Sequence, residues 1–410
     1  MELNKRKKIF IFIFIYFFID LSLTQLFLFN FYHKQLEKQL VSVLENRIPN
    51  KDYKYTFAKK KTFISKYLGH DYTVSTNNLG FRDFAVRDLD KNKFYTIVIG
   101  DSHVEGVPFD YKYTIPGQLN KRLENNNIID HQFLNAGVAS YSSYIYTKKI
   151  IKVLDENPWI KTNLVILLLD KSDVSDDLAY FDKPTSFPQK IDTKARFKNR
   201  IYDDLEKLYF WNYESLNPGL FFSNLWRFTY RQTTTGILLK KIGDFLELKA
   251  RNLRDRYVLS KKLKKNFFSI SPKQVNSLKT INTRKYLTKY FYGNHWLREG
   301  KKSINFSIEN LVTLKSYLDN KNIELLVVLY PWAFELVDKI PREKYLRYIT
   351  PKLKKNNIDY ISAYNYFLNL KEDPYTNISD NWVYQDVHLN KKGLKALSDI
   401  IWKKVSNKIR

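Results

Sequence analysis

The stretch YTIVIGDSHVEG, residues 95–106, decides the reading of this chain. Tyr95-Thr96-Ile97-Val98-Ile99 is a short apolar run, rich in β-branched residues and closed by Gly100. Such a run reads as a buried strand of a parallel sheet. Asp101 and Ser102 then stand at the carboxyl end of that strand, where open α/β sheets place their ligands. A helix is expected over 115–123. A serine on a strand-to-helix turn exposes its hydroxyl and aims its backbone N–H into the same space. That suits a nucleophile, provided the chain supplies a base.

The base is offered near the other end, in YQDVHLNKKG, residues 384–393. Asp386 and His388 lie two apart in a polar loop, ahead of a helix expected over 392–401. A carboxylate that close can fix the tautomer of the imidazole, and the imidazole can take a proton from a serine hydroxyl. Ser102, His388 and Asp386 are therefore the candidate catalytic residues, in chain order Ser, Asp, His. Each also has a plainer use. Ser is favoured at helix caps, a loop histidine can bond a carbonyl, and an Asp before a helix forms turns. The pairing of the two stretches favours the chemical use. The chain has only six histidines, and His33, His70, His131 and His295 have no comparable setting. Asp101 is expected to bond the turn backbone.

These residues carry a resemblance. Gly100-Asp101-Ser102 after the first strand, Asn135-Ala136-Gly137 after the second, and Asp386-Val387-His388 before the last helix resemble the SGNH (GDSL-type) hydrolase superfamily. The Asp-x-His spacing, one residue shorter than that family's usual terminal motif, is similar to its membrane-associated branch, which includes polysaccharide O-acetyltransferases. The segment NNLGFRD, residues 77–83, resembles one that precedes the first strand in that branch. The resemblance covers roughly residues 76–177 and 303–410. It implies an oxyanion hole made by the backbone N–H groups of Ser102 and Gly137 together with Ser172. Ser172 stands where the family has an Asn, and Asp173 keeps the family's Asp. His103 and Asp173 are possible substrate-binding residues, and His103 can equally be a solvent-exposed side chain.

With 410 residues, 44% of them hydrophobic, the chain can bury a sizeable core. It has no cysteine, which excludes disulfides, thiolate catalysis and cysteine metal sites. The net charge of +27 permits binding to anionic lipid, anionic polymer or nucleic acid. Abundant Lys, Asn, Ile, Phe and Tyr also match the coding bias of an AT-rich genome, and no nucleic-acid-binding motif stands out. No residue spacing suggests a metal, and no cofactor is called for. The carboxylates Asp173, Asp176 and Asp177 read as a helix start.

Residues 9–31 are almost continuously apolar and long enough to span a bilayer. Lys5, Arg6, Lys7 and Lys8 precede them, which favours a cytoplasmic N-terminus. No cleavage site follows, so the reading is an uncleaved signal anchor. Asp20 lies mid-span, where a charge marks a partner or a shifted helix. The expected organisation is the N-terminus and anchor over 1–32, a linker and leading segment over 33–92, the two halves of the SGNH domain over 93–180 and 301–410, and an insertion or lid over 181–300. Within these, 35–44 reads as a short helix, 47–61 as a linker, and 63–84 as short strands and turns. Strands are expected over 94–99, 132–135, 163–169, 323–330 and 358–361, and helices over 144–154, 303–318 and 344–354, where Pro351 threatens a break. In the insertion, 237–257 shows a ragged apolar stripe edged by lysines and arginines. The alternation of strands and helices predicts an α/β fold, a three-layer α/β/α sandwich with a mostly parallel sheet, an N-terminal transmembrane helix and a large helical insertion.

From sequence, the expected function is a membrane-anchored serine esterase or O-acyltransferase acting on acyl esters of an envelope glycan, with the bulk of the chain periplasmic or extracellular. The alternative is a catalytically degenerate domain that binds a glycan or a membrane-bound acyltransferase.

Overall fold

The computed structural model describes residues 47–68, 70–174, 176–177, 253–282 and 290–409, with residues 11, 12, 15, 16, 19, 20 and 22. It divides into two compact units, Leu44–Phe187 with Phe268–Arg410, and Met1–Val43 with Pro188–Phe267. In the second, residues 11, 12, 15, 16, 19, 20 and 22 are helical, and so is 253–263. The rest of the expected membrane span, the 35–44 helix and most of the 237–257 stripe lie outside the described residues. Among the described residues no helix is long and apolar enough to cross a membrane.

The first unit opens with an antiparallel hairpin, β1 (Arg47–Asn50) and β2 (Lys54–Phe57). This corrects the linker expected over 47–61. Tyr53, Tyr55 and Phe57 recur every second residue and are all buried, the pattern of a half-buried strand. Then follow β3 (Thr62–Tyr67), β4 (His70–Thr76), β5 (Arg82–Asp83), β6 (Phe94–Ile99), β7 (His131–Asn135), β8 (Lys161–Leu169), β9 (Glu324–Leu329) and β10 (Asp359–Ser362). They form one sheet in the order β10-β9-β8-β6-β7-β5-β4-β3. β6 to β10 pair in parallel, while β3, β4 and β5 extend the sheet antiparallel beyond β7.

Counted along the chain, the parallel strands lie 2-1-3-4-5, with the order reversing between β6 and β8. That reversal is where open α/β sheets leave a crevice for ligands. The register brings the strand ends to one edge. Val98 lies opposite Asn135, Ile99 opposite Leu167, and Leu169 opposite Leu329. The turns after β6, β7, β8 and β9 therefore emerge side by side.

The α-helices of four residues or more in this unit are α1 (Ser102–Glu105), α2 (Ile115–Asn125), α3 (Ser143–Glu156), α4 (Pro272–Asn282), α5 (Lys301–Asp319), α6 (Lys339–Lys355), α7 (Tyr364–Asn369), α8 (Pro374–Asn381) and α9 (Lys391–Val405). One strand face, with Ile97, Val165 and Val327, packs with Ile150 of α3, Leu311 of α5 and Ile349 of α6. On the other face Val98, Ile166 and Val328 are also fully buried, and α2 packs against β7 and α9. The middle of the sheet is thus covered on both sides, which is why β6, β8 and β9 read as apolar runs. α6 runs through Pro351, because Ile349 and Leu353 on either side are fixed in the core.

Candidate active site

Ser102 is the first residue of α1, directly after β6. Asp101 caps the turn, its Oδ1 accepting from the His103 N–H at 2.9 Å. Gly106 ends α1 at φ 89°, in the left-handed region. Both sides of this glycine are held by Arg82 of β5, whose buried guanidinium donates to the carbonyls of Glu105 at 2.6 Å and Phe109 at 2.5 Å, and to Thr73 O of β4 at 3.0 Å. Arg82 is presented by an Asn77 turn, Asn77 Oδ1 accepting from Leu79 and Phe81 N–H. The segment 77–83 thus anchors the loop that follows Ser102.

The second half of the site is the loop between α8 and α9. Asn390 caps α9 through Lys392 and Gly393 N–H and also donates to Asp380 O at 2.9 Å. The Val383 N–H donates to His388 O at 2.9 Å, and Gln385 N–H to Thr280 Oγ1 of α4 at 3.1 Å. These bonds present His388 to β6. Its Nε2 lies 2.7 Å from Ser102 Oγ and its Nδ1 2.6 Å from Asp386 Oδ2. Asp386 Oδ1 accepts from Val387 N–H at 2.8 Å and from the Tyr67 hydroxyl at 3.1 Å. Burial alone would raise the Asp386 carboxyl, but the contacts with His388, Val387 N–H and Tyr67 hold it below its ordinary value. Asp386 is therefore ionised beside His388. The structure brings Ser102, His388 and Asp386, separated by up to 286 residues, into one hydrogen-bonded line. Ser102 remains partly exposed at its end.

Beneath this line lies a charged group that the sequence did not disclose. His103 is 2% exposed, which removes the reading of it as a solvent-exposed side chain. Its Nδ1 stands 3.4 Å from both Asp101 Oδ1 and Asp170 Oδ2, as ion-pair contacts without hydrogen-bond geometry. Its ring centroid is 4.8 Å from that of His388 and 5.0 Å from that of Tyr330. Burial would lower the His103 pKa, but Asp101, then Asp170 and Asp386, push it up to about 9. Asp170 is itself held low, against its burial, by His103, Ser172, Tyr330 and Trp332. It accepts from Tyr330 Oη at 2.5 Å and Trp332 Nε1 at 2.9 Å, both just beyond β9. Among the described residues, Asp101, His103 and Asp170 are the group close enough to hold a metal. The two donors already aimed at Asp170 Oδ2, and the cationic state of His103, fit an ion-pair cluster instead.

Three expected roles meet a different geometry. Gly137 N–H donates to Asn135 Oδ1 at 3.1 Å, so it is engaged within its own turn and not held out as an oxyanion donor. The glycine is needed because a Cβ there would sit 2.5 Å from Glu105 N and 2.6 Å from Val104 Cβ. Ser172 Oγ donates to Asp170 Oδ1 at 2.6 Å, which engages the hydroxyl proton expected to reach a substrate. Asp173 is 1% exposed, accepts from Tyr146 Oη at 3.1 Å and Asp170 N–H at 3.2 Å, and is a buried strut, not a substrate contact. Burial first, then Asp170, Asp177 and Asp101, raise its pKa well above the ordinary carboxylate range. Tyr67, at the end of β3 and 319 residues from Asp386, carries no local signal that could have disclosed its place in the site.

No family model matches the chain, and no curated protein matches it. Solved structures give partial likenesses. An acetyl xylan esterase, AlAXEase, is 14% identical over 76% of this chain and 100% of its own, with a TM-score of 0.38. AlinE4, described as an SGNH-hydrolase family esterase, is 13% identical over 77% of this chain and 95% of its own, with a TM-score of 0.33. A GDSL-like lipase from Bacteroides thetaiotaomicron is 10% identical over 78% of this chain and 91% of its own, with a TM-score of 0.34. Identities and TM-scores at this level leave the family unassigned.

Proposed function

We propose that this protein is an SGNH-type serine esterase or O-acyltransferase that works on acyl esters, acetyl above all, of an envelope glycan. The observation that carries the reading is the 2.7 Å approach of Ser102 Oγ to His388 Nε2, with Asp386 on the other ring nitrogen at 2.6 Å. Serine is a weak nucleophile until a base removes its proton, and this spacing is that of a poised transfer. In the proposed reaction His388 takes the Ser102 proton as Oγ bonds to the acyl carbon. Asp386 keeps the Nδ1–H tautomer and offsets the imidazolium charge. The oxygen of the tetrahedral intermediate meets the backbone N–H of Ser102, at the head of α1, where no intrahelical acceptor exists. His388 then returns the proton to the departing alcohol, leaving an acyl group on Ser102. Water as the next acceptor makes the enzyme an esterase, and a sugar hydroxyl makes it a transferase.

The apolar residues 9–31 with their cationic leading flank support a single-pass anchor, the N-terminus in the cytoplasm and the first unit outside it. A membrane-bound acyltransferase that hands over the acyl group is the partner such an arrangement suits. Turnover of a small acetyl ester tests the chemistry. Ser102→Ala and His388→Ala should each abolish it, and the double variant should be little worse than either, because nucleophile and base act as a unit. Wild-type turnover by Ser102→Ala would overturn the reading. A C-terminal reporter active only in the cytoplasm should be silent in intact cells, and a signal from it would overturn the topology.

A further inference from the structure

A cleft of about 700 Å³ runs between α2 and α9, on the flank of the sheet unit. Its lining includes Lys112, Lys121, Arg122, Lys391, Lys392 and Lys395. Among the described residues Asp399 is the one carboxylate paired with any of these six, shared between Arg122 and Lys395. Among the described residues Lys112, Lys121, Lys391 and Lys392 have no carboxylate partner. Lys391 and Lys392 are also the first two residues of α9, where the helix dipole is positive and a cation is unfavourable. Positive charge is thus gathered where neither ion pairing nor the helix holds it. Such self-repulsion weakens the folded state unless an anion relieves it.

We infer that this cleft binds an acidic polysaccharide, one strand of which passes from it to Ser102. Lys391 follows His388 by three residues, so its Cα lies within about 11 Å of the His388 Cα, and the lining begins at this end of α9. The walls fit a chain better than the alternatives. A bilayer needs exposed apolar side chains beside the cations, and among the described residues the one aromatic in the lining is Tyr113. Single-stranded nucleic acid needs open aromatic faces on which to stack. Tyr113 is instead faced by ammonium groups, Lys391 Nζ lying 4.0 Å and Lys112 Nζ 5.1 Å from its ring centroid. This deepens the ester reading and rests on it for the purpose of the cleft, but binding can be measured without turnover.

The test uses the full-length protein carrying Ser102→Ala, so that no ester chemistry intervenes. Binding to polygalacturonate is measured at two salt concentrations, beside neutral dextran, vesicles of phosphatidylcholine with phosphatidylglycerol, and an oligothymidylate. The expected result is salt-sensitive binding to polygalacturonate, none to dextran, and weaker binding to vesicles and oligonucleotide. Lys112→Glu/Lys121→Glu/Lys392→Glu should weaken polygalacturonate binding at least tenfold. Reversal of Lys262, Lys264 and Lys265, which lie in the other unit, should change it less than twofold. Lys→Gln at the same three cleft positions should give an intermediate loss and serves if the reversed variant does not fold. Equal losses from the two triple reversals would mean that the lysine-rich surface at large does the binding, and would overturn the inference. Preference for vesicles or oligonucleotide over polygalacturonate would overturn it as well. If binding behaves as expected while the unmutated protein turns over no ester, the cleft stands and the ester reading falls.

Discussion

Replacing His103 by Gln should expose the ion-pair cluster beneath the site through the pH dependence of stability. His103 is wholly buried, with Asp101 and Asp170 each 3.4 Å from Nδ1, and its ring lies 4.8 Å from that of His388, the partner of Asp386. Its pKa is raised from 6.5 to about 9. A group whose pKa is raised on folding contributes stability that is fully present below its unfolded value and is lost as pH rises through the folded value. The window is therefore about pH 6.5 to 9. Two and a half pH units correspond to about 3 kcal/mol, taken as an order of magnitude. Wild type should exceed His103→Gln in unfolding free energy by that much more at pH 6 than at pH 9.5. The assay is urea unfolding of both proteins at the two pH values, followed by tryptophan fluorescence, to which buried Trp332 beside Asp170 contributes. Taking the difference between the two proteins removes other titrating groups that both share. A gap between wild type and variant that is the same at both pH values would refute a cationic His103.

Tyr67→Phe removes one donor to Asp386 but keeps the ring edge-on to His388 at 5.4 Å. Turnover of an acetyl ester should fall several-fold with little change in KM, and unchanged kcat would refute a positioning role. Gly137→Ala drives a Cβ into Glu105 N at 2.5 Å, which should cost about 1–3 kcal/mol and lower the melting temperature. An unchanged melt would mean that the turn after β7 does not clasp α1 as described. Lys149 is fully buried, its Nζ donating to Ala136 O at 2.9 Å, and burial pushes its pKa down to about 7. A lysine lowered on folding opposes stability increasingly as pH falls below its unfolded value near 10.4. Lys149→Met should therefore compare better with wild type at pH 6 than at pH 10 in the same urea assay, and the reverse order would contradict this.

The strands β6, β8 and β9 were legible because each carries an apolar run, two of them with a hard stop, Gly100 after β6 and Pro331 after β9. The long helices α3 and α5 were legible from their apolar spacing. The hairpin over 47–57 was not, since Pro49 and the lysines around it resemble a linker and mask Tyr53, Tyr55 and Phe57. Ser102, His388 and Asp386 could be nominated because each sits in a short pattern of its own. The rest of the site is tertiary. His103 lies in a turn, where no periodicity says whether a side chain faces in or out. Asp170 meets Tyr330 and Trp332 only across neighbouring strands. Gly137 was given an oxyanion role because a bare backbone can approach a substrate. The same bareness serves the approach of α1, and its N–H goes to Asn135.

The central claim is that Ser102 carries the acyl group. The most direct measurement is intact and peptide mass spectrometry after brief exposure of the protein to an activated acetyl ester, with rapid acid quenching. One acetyl group should appear on the peptide containing Ser102 and be absent from Ser102→Ala. It should fail to accumulate in His388→Ala, which lacks the base 2.7 Å away. No adduct on Ser102 in a protein that hydrolyses the ester, or an adduct of equal yield in Ser102→Ala, would contradict the account.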